Sequence, residues 1–133
     1  MKIIDTAVLI AYINRLDPLC ERATRHIMNV SRSTDVLVPS ASLVELDLEL
    51  KTHSFDDEQR QAVYSKLLRL IPSEGVIPVT LAVLKRAAEL APKAKWRGAY
   101  FDTLIVATGL EYGAEAAITT DHRFTKIGLN TMF

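Results

Sequence analysis

Apolar residues along this chain come in two rhythms, short runs of three or four and longer stretches at helical spacing, and the two alternate from the first residue onward. Lys2-Ile3-Ile4 is the first short run. It stops at Asp5-Thr6, and Ala7 to Ile13 continues at helical density, which predicts strand, cap and helix in succession. Pro18 to Val30 predicts a second helix, with proline in its first turn and Ala23, Ile27 and Val30 on one stripe. Val36-Leu37-Val38, ahead of Pro39, predicts a second strand. Ser40 to Thr52 is ambiguous, because Val44 to Leu50 alternates like a half-buried strand. Leu and Glu are nevertheless good helix formers, none of Leu46, Leu48 and Leu50 is β-branched, and Ser42 with Glu45 three residues on makes a capping box, so a helix is expected.

The second half repeats the alternation. Asp56, Asp57 and Glu58 suit a helix N-terminus, and Val63, Leu67, Leu70 and Ile71 supply the apolar face until Pro72 ends it. Val76 to Val79 reads as a strand, and Thr80 then caps a helix whose expected inner face is Leu81, Leu84, Ala88 and Ala91, ended by Pro92. A basic loop with Trp96 leads into a helix from about Ala99 to Tyr112, closed by Gly113. Ala116 to Thr119 is a further strand, Asp121 caps a short turn through Phe124, and Ile127 to Phe133 has room for a last strand. Short apolar strands alternating with amphipathic helices mean βαβ units. The expected fold is therefore a three-layer α/β/α sandwich around a short, mostly parallel sheet, in one domain spanning residues 1–133 with no repeat or linker. Ligands of such sheets bind beyond the carboxyl ends of the strands, where the strand order reverses.

Composition narrows the possibilities. Hydrophobic residues at 49% and charged residues at 24%, with only 5 Gly and 5 Pro, exclude a disordered or collagen-like chain. Apolar runs such as Leu104 to Ala107 fall far short of the ~20 residues of a membrane span, and Lys2 to Asp5 is no secretory signal, so the expected setting is the cytoplasm, with no membrane partner. Cys20 is the only cysteine, which excludes an internal disulfide and a thiolate zinc site. Any metal must be held by oxygen or histidine. Sixteen Lys plus Arg balance sixteen Asp plus Glu, but unevenly. Glu45 to Glu58 holds six acids against Lys51, and Lys85 to Arg97 holds five bases against Glu89.

Four acids occupy related places. Asp5 directly follows the first strand and Asp121 the fourth; Glu45 and Asp102 each open a helix, the latter one whose Leu104-Ile105-Val106-Ala107 marks it as buried. In a parallel sheet these ends share one edge of the domain. Each acid alone is explained as a helix cap. If the four converge, each pair about 5 Å apart repels by roughly 3 kcal/mol at an effective dielectric of ~20. The remedies are protonation or a divalent cation, and an all-oxygen set suits Mg²⁺ or Mn²⁺. A hard cation so held binds phosphate oxygens and acidifies a bound water, which points to metal-dependent hydrolysis of phosphate esters.

Ile3-Ile4-Asp5-Thr6, Pro39-Ser40 through Glu45, Tyr100 through Thr108 and Ile118-Thr119-Thr120-Asp121-His122-Arg123-Phe124, in that order and spacing, resemble the PIN domain, the small nuclease fold of VapC-type toxins, across essentially the whole chain. The resemblance implies a Mg²⁺- or Mn²⁺-dependent endoribonuclease. It implies Asp5, Glu45, Asp102 and Asp121 as the acidic cluster, Asp5 and Asp102 as main metal ligands, and Thr6 and Thr119 as hydroxyl neighbours that orient carboxylates, water or phosphate. It further implies an RNA substrate, a homodimer and a small cognate antitoxin. Two other functions fit the element pattern: a phosphoacceptor receiver-like signalling domain, which wants adjacent acids after the first strand and a lysine near the end, and a PIN-like module that binds RNA or protein without cutting.

Other polar residues carry weaker signals. Glu49, one helical turn beyond Glu45, is positioned as an accessory ligand. His26, His53 and His122 are scattered, His122 fitting an exposed turn, and Cys20 lacks a recognisable base. Lys93 to Arg97 with Trp96 and Tyr100 mixes charge and rings as a single-strand binding surface does, and equally fits a solvated loop with one ring anchored in the core.

Overall fold

The computed structural model describes residues 1–133. The chain runs β1 (Lys2–Ile4), α1 (Thr6–Ile13), α2 (Cys20–Arg32), β2 (Val36–Pro39), α3 (Ser40–Thr52), α4 (Asp57–Leu70), β3 (Val76–Ile77), α5 (Leu81–Leu90), α6 (Ala99–Glu111), β4 (Ala116–Ile118) and β5 (Asn130–Met132), with short 3₁₀ turns at Ser73–Gly75, Ala91–Lys93 and His122–Ile127. The strands form one sheet in the order β3-β2-β1-β4-β5, and every pairing is parallel. No helix is long and apolar enough to cross a membrane.

Strands of two to four residues contribute few ladder hydrogen bonds, so burial on both faces must hold the sheet. Successive side chains point to opposite sides. Ile3 and Ala117 enter one core with Leu104, Ile105, Val83 and Phe124, whereas Ile4, Val38 and Ile118 enter the other with Val8, Leu9, Ile27 and Leu46. Each fully buried large apolar side chain contributes about 1.5–3 kcal/mol. The two cores lie between the sheet and the two helical layers of the expected α/β/α sandwich.

The register between β1 and α6 depends on a glycine. A Cβ on Gly109 would lie 2.8 Å from Ile3 Cδ1 and 3.1 Å from Leu129 Cδ2, so any larger residue would force these two side-chain tips aside where α6 settles on β1. That contact fixes the height of α6 against the sheet, and with it the height of the acid in its first turn.

Several expectations need correction. Helix α3 starts at Ser40, directly after Pro39, so Ser42 lies inside it and there is no Ser42–Glu45 capping box; Glu45 sits in the second turn. The serines are bound elsewhere. Ser42 Oγ donates to the Ile4 carbonyl at 2.9 Å, and Ser40 Oγ accepts from the Val79 N–H at 3.1 Å, which ties the start of α3 to β1 and to the segment after β3. The buried face of α5 is Val83, Ala87 and Leu90, not the expected stripe, and Leu81 and Leu84 are 85% and 45% exposed. Thr80 caps the helix by accepting the Val83 N–H at 3.2 Å. Helix α2 begins after Leu19, leaving Pro18 outside, although Ala23, Ile27 and Val30 are its buried stripe. Strand β3 ends at Ile77 because Pro78 has no N–H for the ladder.

Candidate metal centre

From β1 the chain moves outward through β2 and β3, then returns to place β4 on the other side of β1. The crevice of a doubly wound sheet therefore opens beyond the carboxyl ends of β1 and β4. Asp5 and Thr119 are the first residues past those two ends.

Asp5 is only 4% exposed and is held from both sides. The Thr6 N–H donates to its Oδ1 at 2.7 Å, capping α1, and the Thr119 hydroxyl donates to its Oδ2 at 2.6 Å. Thr119 in turn accepts the Asp121 N–H at 3.0 Å, so the turn after β4 locks the carboxylate after β1. Thr119 thus holds the plane of the Asp5 carboxylate. Thr6 does so through its backbone, while its hydroxyl donates to the Ser42 carbonyl at 3.2 Å.

Glu45 projects from α3 and Asp102 from the first turn of α6. Asp5, Glu45 and Asp102 each bring one carboxylate oxygen within 4.8 Å of the others. No Lys, Arg or His forms an ion pair with any of the three. The electrostatic consequence follows from burial and mutual repulsion. Desolvation raises the Asp5 pKa from 3.8 to about 6, against the pull of Thr119 and Thr6 and with help from the charges of Asp102 and Asp121. Desolvation likewise raises Glu45 to about 7, reinforced by Asp5, Asp102 and Glu49. Asp102 is also raised by burial, with the Trp96 hydrogen bond opposing.

The fourth acid behaves differently. Asp121 lines the same open cleft, of about 360 Å³, but stands outside the group of three. Its Oδ2 accepts Arg123 Nη2 at 2.7 Å and its Oδ1 accepts Arg123 Nε at 2.9 Å, and this guanidinium holds its pKa below the usual carboxylate range. Asp121 also caps the final 3₁₀ turn through the Arg123 N–H, as expected for that position. Glu49 lines the cleft without joining the cluster. His122 is exposed and turns toward Thr131 of β5. A larger groove of about 500 Å³ lies alongside between α1 and α3, but Leu46, Leu50, Ile13 and Phe55 dominate it and no acidic cluster faces it.

Sequence reasoning missed two members of the site. Trp96 is half-buried against the core and its Nε1–H donates to Asp102 Oδ2 at 2.7 Å. Arg123 stacks on the Trp96 ring with its guanidinium carbon 5.1 Å from the centroid. The anchored-ring alternative for the basic loop describes Trp96 better than a free binding surface. Its partner was not foreseeable, because nothing in the spacing of a lone tryptophan names the carboxylate six residues later.

The donor set fits a hard dication: three carboxylates, all oxygen, without a protein counter-charge. None of the curated proteins matches the chain in sequence. FitAcB from Neisseria gonorrhoeae superimposes with a TM-score of 0.74 at 19% identity, covering 100% of this chain and 97% of that one. Mycobacterium tuberculosis VapC20, described as a sarcin-ricin loop cleaving toxin, gives 0.72 at 20% identity, with 97% and 96% covered. A toxin-antitoxin complex from Klebsiella pneumoniae gives 0.67 at 16%, with 100% and 97% covered. Such identities establish a shared fold and no more. The sequence itself matches the PIN domain from residue 2 to residue 129, nearly its full length, and the sheet order and clustered acids agree, so the receiver-like alternative falls away and the chain belongs to the PIN domain family.

Proposed function

We propose that this protein is a divalent-metal-dependent endoribonuclease, the toxin of a VapBC-type toxin–antitoxin pair, working in the cytoplasm as a homodimer and restrained by a small cognate antitoxin. The observation that carries the chemistry is the meeting of Asp5, Glu45 and Asp102 within 4.8 Å with no cation of the protein to neutralise them. Membership of the PIN domain family supports nuclease activity. The fold shared with a toxin described as cleaving the sarcin-ricin loop supports RNA as substrate, and the fold shared with a toxin-antitoxin complex supports an antitoxin partner.

A bound Mg²⁺ or Mn²⁺ supplies positive charge for phosphate oxygens and lowers the pKa of a coordinated water. Asp5, Glu45 and Asp102 would hold it. Thr119 and the Thr6 N–H keep Asp5 in place, so its carboxylate loses no rotational freedom when the ion arrives. Burial and the neighbouring acids raise Glu45 to about 7 in the metal-free protein, so taking up the ion would release a proton from this group near neutrality. Asp121 stays outside the group of three on its arginine, within the cleft that the phosphodiester must enter.

Incubating the protein with structured and single-stranded RNAs, and with DNAs of the same sequences, tests this. Internal cuts in RNA are expected with Mg²⁺ or Mn²⁺ and not with excess chelator, while DNA stays intact. Undiminished cutting in chelator, or equal cutting of DNA, contradicts the proposal. No cutting under any metal condition leaves the non-cleaving PIN-like module as the better description.

A further inference from the structure

The three clustered acids are not equally supported by the protein. Asp5 receives two hydrogen bonds, from Thr6 and Thr119. Asp102 receives one, from the Trp96 indole at 2.7 Å, and no other protein donor reaches its carboxylate. The same ring carries the Arg123 guanidinium on its face, 5.1 Å from the centroid, and Arg123 grips both oxygens of Asp121. One side chain therefore joins two of the acids, one by its edge and the other through a stacked cation.

The consequence is geometric. A carboxylate in the first turn of a helix turns freely about its last torsion unless a donor fixes its plane. With the indole on Oδ2, Asp102 has one orientation, and a cation meeting it does not have to impose one. The stack does a second job. Arg123 lies on the face of the ring whose edge holds Asp102, and a guanidinium free to swing off it would neutralise the cluster that an external dication is meant to satisfy. Seated on the ring and forked onto Asp121, it stays at the margin.

We propose that Trp96 is a positioning residue of the acidic site: its N–H sets the plane of Asp102 and its face holds Arg123 on Asp121, so that Asp5, Glu45 and Asp102 remain free to take a dication. This rests on the metal-binding role given above to that cluster. It also removes the basic loop from the account as a passive link, since Lys95 and Arg97 flank a ring already committed to the site.

Trp96 is the only tryptophan in the chain, so its indole N–H gives a single resonance in a proton–nitrogen correlation spectrum. Titrating the wild-type protein with Mg²⁺ should move that resonance in step with saturation followed by calorimetry, and Mn²⁺ should broaden it away. Trp96→Phe keeps a ring under Arg123 and removes the N–H. Its Mn²⁺ affinity should fall about tenfold or more, as expected when a ligand loses its outer hydrogen bond, while its circular dichroism stays that of wild type. A Trp96→Phe protein that folds and binds Mn²⁺ as tightly as wild type overturns the proposal. An indole resonance that ignores Mg²⁺ while calorimetry records binding also overturns it, whether or not the variant folds. A wild-type protein that binds neither ion at millimolar concentration overturns the metal-binding role itself, a result distinct from both.

Discussion

Asp5→Asn and Asp102→Asn are each expected to lower metal-supported RNA cleavage by about a thousandfold without loss of fold. The substitution keeps shape and volume and removes one of the three charges that hold the ion. At 1.36 kcal/mol per tenfold, a thousandfold is about 4 kcal/mol, in line with the several kcal/mol that a bound dication supplies to a charged transition state. Asp121→Asn should cost far less, about tenfold, because Asp121 already spends its charge on Arg123 outside the group of three. Single-turnover cleavage of one labelled RNA by all three variants measures this. Wild-type rates in both Asp5→Asn and Asp102→Asn would remove the cluster from the chemistry.

The second large effect concerns stability against pH in the absence of metal. Asp5 has its folded pKa raised from 3.8 to about 6. Below pH 4 the group is protonated in folded and unfolded chains alike and costs nothing. Between about pH 4 and pH 6 the folded protein keeps a proton that the unfolded chain has released, so stability falls as pH rises and then levels off. A rise of about two units corresponds to about 3 kcal/mol. Glu45, raised to about 7, and Asp102 act with the same sign. Asp121, held down by Arg123, acts oppositely, but only at and below pH 4. His26, lowered by burial, also acts oppositely, below its ordinary 6.5. Subtracting the profile of Asp5→Asn cancels Asp121 and His26, and leaves Asp5 together with the part of the Glu45 shift that Asp5 itself causes. Urea unfolding in chelator between pH 4 and pH 7 should show wild type losing about 3 kcal/mol more than Asp5→Asn. Mn²⁺ at about a hundred times its dissociation constant should return about 2.7 kcal/mol to wild type at pH 7. A difference that stays flat or rises with pH would mean that Asp5 is not the strained group described above.

Much of this architecture was legible because the strands are buried on both faces. Ile3-Ile4, Val36-Leu37-Val38 and Ala116-Ala117-Ile118 stand out as apolar runs for the physical reason that adjacent residues serve two different cores. Asp5 and Asp102 were legible because acids after strands and at helix starts share one edge of a parallel sheet, and Glu45, one turn further into α3 than expected, still reaches that edge. Faces of helices were harder. On α5, Leu81 and Leu84 look as apolar as Val83 and Leu90, and packing against α6 and the sheet decides which pair points inward. On α3 the alternation of Val44 to Leu50 mimics a strand because Val44 and Leu48 are exposed apolar residues on a helix that buries Leu46 and Leu50. Ser42 could be seen as polar at a helix start, but its true acceptor, the Ile4 carbonyl, lies in another element. The same holds for Trp96 and Arg123. Their partners come from packing a loop against a turn, which no periodicity in a single segment encodes.

A crystal soaked in Mn²⁺ and measured near the manganese absorption edge addresses the site itself. An anomalous peak is expected between Asp5, Glu45 and Asp102, with Asp121 still paired with Arg123. No peak there, with manganese bound elsewhere on the molecule, would contradict it.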